Sequence, residues 1–230
     1  MINSEFLLND EGSRKLFRRV LEIVEMDSRK NIWGKAKELV DSFSLNQCDS
    51  KKHLFDLMDK YDISKPWQNY GIMGCWFGSI IVPLLINRDA KKIYGWDMDQ
   101  YAIGLAKELF KEMERPEFYS QDVWVEKPEH FEDCDVIINT SCEHMPPMID
   151  WPGWKSYFKN FTPEQKNPIW IFQSNNMHGL RDHINTVDTL EEFEDQMHPM
   201  MEIIHSDSID HRFEEGVKRF TIIGKIHYGV

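Results

Sequence analysis

The sequence is poor in the residues that staple or ligate a fold. Only four of its 230 residues are cysteine, Cys48, Cys75, Cys134 and Cys142, far apart and with no CxxC pair. Such spacing argues against a disulfide framework, and free thiols inside apolar runs are expected to be reduced and buried. A zinc site needs about four ligands at close spacing. Cys134, Cys142 and His144 come nearest to one and read as ordinary packing, so no metal is expected. Long apolar runs are missing as well. The best, Ile80 to Ile86, is about seven residues long and contains Pro83, against the roughly 18 to 20 needed to span a bilayer. Positive charge is also short: 27 Lys and Arg face 39 Asp and Glu, a net −12. That balance repels phosphate backbones and anionic membranes, so neither nucleic acid nor a membrane is expected as a partner. Met1 to Asp10 has no basic stretch before Phe6-Leu7-Leu8, unlike a secretory signal, and a cytoplasmic location is expected. Internal repeats and low-complexity segments are absent too.

What is present is enough for a sizeable core. Hydrophobic residues make up 41% of the chain and aromatic residues 13%, which excludes disorder over most of its length. The length suits one large α/β domain, or a core with a small cap.

Two regimes of periodicity divide the chain. Leu16, Phe17, Val20, Leu21 and Val24 recur at helical spacing, as do Ile32, Ala36, Leu39, Val40 and Phe43 after a break near Asp27 to Asn31. A third helix through Leu54, Leu57 and Met58 is expected to start at Ser50 as N-cap. These place a helical cap over residues 1–66, followed by a second domain over 67–230. From Asn69 onward, short apolar runs alternate with helical stretches, the signature of βαβ units. Strands are expected near 70–75, 92–97, 117–120, 134–139 and 168–173, and helices near 78–87, 99–114, 151–161 and 188–198. Met201 to Ser208 and Arg219 to His227 should close the chain as an antiparallel hairpin at one edge.

The polar residues fall at the carboxyl ends of these strands. The first expected strand runs through Gly74-Cys75-Trp76-Phe77-Gly78-Ser79 into an apolar helix; glycines at such a turn let the backbone approach a ligand and aim helix N-terminal amides at it. The next strand ends at Asp97, 97 − 74 = 23 residues beyond the first glycine, a position from which a carboxylate accepts ribose hydroxyls. Met98 follows, and Asp99 is a natural N-cap. Asp122 and Val123 follow the third strand, where the carboxylate can meet an adenine amino group. The fourth strand ends in Asn139-Thr140-Ser141-Cys142-Glu143-His144. In an open parallel sheet all of these loops face one crevice.

These segments resemble the class I S-adenosylmethionine-dependent methyltransferases, over roughly Asn69 to Val230. Tyr70 to Ser79 resembles the family's glycine-rich motif, Gly95-Trp96-Asp97-Met98-Asp99 its Gly-x-Asp-x-Asp motif, Gln121-Asp122-Val123 its adenine-contacting motif, and Asp135 to His144 its fourth. Two departures stand out: Trp76 occupies the usual central glycine position, and Ile72 a position commonly acidic. The resemblance implies a Rossmann-like, doubly wound α/β sheet of seven strands in the order 3-2-1-4-5-7-6 with an N-terminal helical cap. It also implies S-adenosylmethionine as cofactor, bound through Gly74, Trp76, Gly78, Asp97, Met98, Asp122, Val123 and Asn139.

Methyl transfer from a sulfonium is an in-line displacement that a site accelerates mainly by alignment and exclusion of water, with a base needed only for a protonated acceptor. Glu143 and His144 are candidate bases. The loop after the fifth strand, Gln173 to Asn185, concentrates amides and imidazoles that are costly to bury unpaired. His178 and His183 there are further catalytic candidates, and Asn175 and Arg181 are candidates for substrate contact, Arg181 suiting a carboxylate or phosphate. His211 reads as a surface residue, Trp151 and Trp154 as packing aromatics rather than a cage, and Glu191 to Asp195 as a solvated helix face. The expected activity is methyl transfer to a small polar acceptor. Its rivals are methylation of nucleic acid or protein, a lyase or aminoalkyl transferase using the same cofactor, and a non-catalytic cofactor-binding module.

Overall fold

The computed structural model describes residues 11–31 and 34–227; Phe6-Leu7-Leu8 and Ile32 lie outside the described residues. The N-terminal third is helical. Helix α1 (Glu11–Lys30) runs unbroken past the expected break at Asp27 and ends where Asn31 adopts φ 47°. Buried Asp27 organises the turn instead, its carboxylate accepting the backbone N–H groups of Gly34, Lys35 and Ala36 at 2.9 to 3.1 Å. These amides lie at the start of α2 (Ala36–Asp41), where a carboxylate is favoured by the helix dipole. Helix α3 (Leu45–Lys60) corrects the expected start at Ser50: Ser44 is the N-cap, its side chain accepting from the Gln47 amide. Ser50 instead faces the sheet, donating to Gln173 Oε1, and Gln173 Nε2 donates to Thr221 Oγ1.

Seven strands follow: β1 (Asn69–Met73), β2 (Lys92–Asp97), β3 (Pro116–Ser120), β4 (Val136–Asn139), β5 (Ile169–Asn175), β6 (Met201–Asp210) and β7 (Lys218–Ile226), in the order β3-β2-β1-β4-β5-β7-β6. The first five are parallel; β7 runs antiparallel to β5, and β6 antiparallel to β7 at the edge. Both the strand order and the closing hairpin follow the expectation. The connecting helices are shorter than expected: α4 (Ile81–Ile86), α5 (Gln100–Leu109), α6 (Lys155–Lys159) and α7 (Leu190–Met197). Glycine and proline explain two of these limits. Gly78 keeps the first turn out of α4, and Pro152-Gly153 hold the chain out of helix before α6.

The sheet separates two cores. On one face Leu54 and Phe55 of α3, Leu85 of α4 and Leu105 and Ala106 of α5 pack on Ile72, Ile93, Ile138 and Ile171. The N-terminal helices and the sheet thus share one cluster, in which each buried Leu, Ile or Phe contributes about 1.5–3 kcal/mol. The other face is aromatic: Trp96, Trp170 and Phe172 of the strands meet Phe131, Trp151, Trp154 and Phe193. Trp154 is fully buried, with its indole N–H on the Val123 carbonyl at 2.7 Å. Trp151 and Trp154 are therefore packing residues. All four cysteines are buried and free. Among the described residues, no helix is long and apolar enough to cross a membrane.

Candidate functional site

The parallel strands direct their carboxyl ends to one side of the sheet, and a cavity of about 680 Å³ opens there. Its floor is the turn from β1 to α4. Gly74 and Gly78 take φ +58° and +62°, and a Cβ on Gly74 would stand 2.6 Å from Met145 Cε, one on Gly78 2.8 Å from Val82 Cγ2. Glycine is therefore required at both positions for conformation and for space. Trp76 stands where the resemblance places a glycine, and its φ of 49° is the left-handed conformation that favours glycine. The backbone amide of Trp76 is fixed by Asp97, which ties the first motif to the second.

Asp97 closes β2 with both oxygens engaged: Oδ2 accepts from the Trp76 amide at 2.8 Å and Oδ1 from the Asp99 amide at 2.9 Å. Burial raises its pKa above the ordinary carboxylate value, and the two amides oppose that rise. Each oxygen keeps a lone pair for a hydroxyl from the cavity. Asp99 caps α5 as expected, accepting from Tyr101 and Ala102, and also meets Lys35 Nζ at 3.1 Å, tying the N-terminal helices to the rim. Of the eight residues expected to hold the cofactor, Gly74, Trp76, Gly78, Asp97, Met98, Asp122 and Val123 line this cavity. Asn139 does not. It is buried beneath the loop, with Oδ1 accepting from the Ser141 amide at 2.9 Å.

The far wall is built from distant parts of the chain. Glu143 sits in the 3-10 turn Cys142–His144 after β4, its side chain only 3% exposed, and its Oε1 receives Arg219 Nη1 at 2.8 Å and Asn175 Nδ2 at 2.7 Å. The Glu143 carbonyl accepts the amides of Ile184 and Asn185, which holds the loop after β5 against this turn. That clamp brings His183 beside His144, the two rings edge to face with centroids 4.7 Å apart. His144 Nδ1 lies 3.1 Å from the Asp182 carbonyl and 3.3 Å from its carboxylate. Burial lowers the pKa of His183 below the ordinary imidazole value. Glu143 and His144 line both the large cavity and an adjoining one of about 220 Å³ that also contains Asn175, His183 and His211.

His178 and Arg181 are placed elsewhere. Both are exposed and line neither cavity, and His178 is held through both ring nitrogens, by Asp188 at 2.7 Å and Thr186 at 2.6 Å. His211, expected on the surface, is partly buried against the smaller cavity.

Two cationic residues that the sequence reading missed complete the wall. Lys51 of α3 lines the large cavity and donates to Gln47 Oε1 at 3.0 Å. Its burial, then the charge of Arg219, pushes its pKa down to about 7. A signal for Lys51 was present: it stands three and four positions before Leu54 and Phe55, on the apolar stripe of its helix. Arg219 carried a weaker one, since strand alternation puts it on the face of Thr221 and Ile223, toward the N-terminal helices.

No protein-family model and no curated protein matches the sequence. Solved structures do. N-methyltransferase NodS from Bradyrhizobium japonicum WM9, in complex with S-adenosyl-L-homocysteine, is similar at TM-score 0.60 and 14% identity, over 80% of this chain and 88% of that one. Magnesium protoporphyrin IX methyltransferase ChlM from Synechocystis PCC 6803, with bound S-adenosylmethionine, is similar at TM-score 0.56 and 15% identity, over 95% and 92%. The [4+2]-cyclase SpnF is similar at TM-score 0.58 and 12% identity, over 77% and 82%. At these identities the likeness shows the fold, that of the class I methyltransferases, which also carries a cyclase.

Proposed function

We propose that this chain is an S-adenosylmethionine-dependent methyltransferase acting on a small polar acceptor, with residues 1–66 as the cap of its site. One observation carries the reading: a left-handed glycine turn and Asp97, locked together by the Trp76 amide, form one wall of a ligand-sized cavity at the carboxyl ends of β1 and β2. In this reading Asp97 accepts the ribose hydroxyls, the Gly74–Gly78 turn lies against the amino-acid half, and Asp122 with Val123 meets the adenine. Glu38, Ser42, Gln47 and Lys51 of the N-terminal helices roof the same space, so the acceptor is enclosed on the side away from the nucleoside. Alignment and exclusion of water then supply most of the acceleration.

For an acceptor that carries a proton, we assign Lys51 as the base. Lys51 is buried at the cavity wall, which pushes its pKa down to about 7 and leaves a lone pair available near neutral pH. The acidic surface supports a small molecule over a nucleic acid.

Calorimetric titration with S-adenosylmethionine and S-adenosylhomocysteine, followed by product analysis, tests the reading. Binding of both cofactor forms, with S-adenosylhomocysteine released on turnover, is the expected result. Methylthioadenosine as product, or no binding of either form, overturns it.

A further inference from the structure

Glu143, His144 and His183 each offer one ligand atom, and the three atoms lie within 4.8 Å of one another. Proximity alone would be weak grounds, but the buried polar atoms point the same way. Glu143 Oε1 has two donors, while its second oxygen, Oε2, is buried with no hydrogen-bond partner among the described residues, and His183 Nδ1 is orphaned likewise. An unmet acceptor of this kind costs about 1–3 kcal/mol, more for a charged group. His144 is arranged in the complementary way: Nδ1 faces the carbonyl and carboxylate of Asp182, which favours the tautomer that leaves the lone pair on Nε2. Carbonyl or carboxylate support of the outer ring nitrogen is the pattern found behind metal-bound histidines.

We propose that Glu143, His144 and His183 bind a divalent transition-metal ion, of the zinc or manganese type, at the junction of the two cavities. Two imidazoles and one carboxylate suit such ions, and three protein ligands leave coordination positions open. Those positions face the large cavity, since Glu143 and His144 both line it. Arg219 opposes a cation there, but its charge is matched by Glu143, and Asp182 adds a negative charge beside His144. The ion would hold an oxygen of the acceptor, which narrows the acceptor to one bearing a hydroxyl or carboxylate; that role rests on the methyltransferase reading, whereas the ion site does not.

The test uses the full chain, freed of metal by chelator and titrated separately with Zn²⁺ by calorimetry and with Mn²⁺ by electron paramagnetic resonance. One equivalent of either ion should bind, and His144→Ala and His183→Ala should each weaken binding on the order of a hundredfold. Glu143→Gln strands Arg219 and risks misfolding, so the two histidine variants, checked for native circular dichroism, carry the decision. Absence of binding to the parent chain, or a folded His144→Ala or His183→Ala that binds as tightly as the parent, overturns the proposal. Cofactor titration is read separately on the parent chain, so an ion site in a chain that binds no cofactor would remove methyl transfer and leave the site standing, and cofactor binding without an ion would do the opposite.

Discussion

The two halves of the site are built by opposite means. The half proposed to hold the nucleoside is local: Gly74, Trp76, Gly78 and Asp97 lie within one βαβ unit, and main-chain amides on one carboxylate hold them together. The far half is assembled from α3, the turn after β4, the loop after β5 and β7, and the ion pair of Glu143 with Arg219 holds its centre together. The lesson is that a site made from backbone tolerates an unusual side chain, as the left-handed Trp76 shows, whereas a site made from buried charges depends on every partner.

The sharpest way to break this contrast is Arg219→Ala. It leaves Glu143 buried and unpaired, and should cost about 3–5 kcal/mol in urea unfolding; a loss under about 1 kcal/mol would mean that the far half is not an ion network. Lys51→Met should act through pH. Burial pushes the pKa of Lys51 down to about 7 in the folded chain, whereas in the unfolded chain it returns to the ordinary lysine value of about 10.4, so the unfolded chain holds the extra proton between those values. Stability contributed by this group therefore rises with pH across that window, by up to about 1.4 kcal/mol per pH unit. The variant should flatten the rise between pH 7.5 and 9.5 in denaturant titrations; an unchanged slope would place the lysine in solvent.

Asp97→Ala tests the nucleoside half. Loss of charge-assisted hydrogen bonds to a ribose should weaken S-adenosylmethionine on the order of tenfold to a hundredfold by calorimetry, and unchanged affinity in a folded variant would remove Asp97 from its role. Smallest is Asp122→Ala, where one proposed hydrogen bond to the adenine is at stake. A loss of about twofold to tenfold is expected in the same titration, and a larger one would give Asp122 a weight comparable with that of Asp97.

Much of the fold was legible because its signals are short-range. Apolar runs with helical stretches between them marked all seven strands, and their carboxyl ends marked the crevice. Asp99 read correctly as a cap because capping is settled within one turn of helix. Ser50 misled for a related reason: serine before an apolar stripe looks like a cap, but Ser44 lies about one and two-thirds turns earlier and Ser50 has a partner 123 residues away in Gln173. His178 and Arg181 looked like ligand contacts on composition alone, and the loop turned them to solvent.

The sequence by itself determined the strand order's ingredients, the glycine turn and the carboxylate 23 residues beyond it, since each depends on neighbours along the chain. Only the tertiary structure decided which charges are buried together. Arg219 reaches Glu143 across 76 residues, and the pKa of Lys51 falls toward neutrality because packing removes its water and brings Arg219 near. Desolvation is a property of the assembled neighbourhood, and residue type along the chain does not encode it.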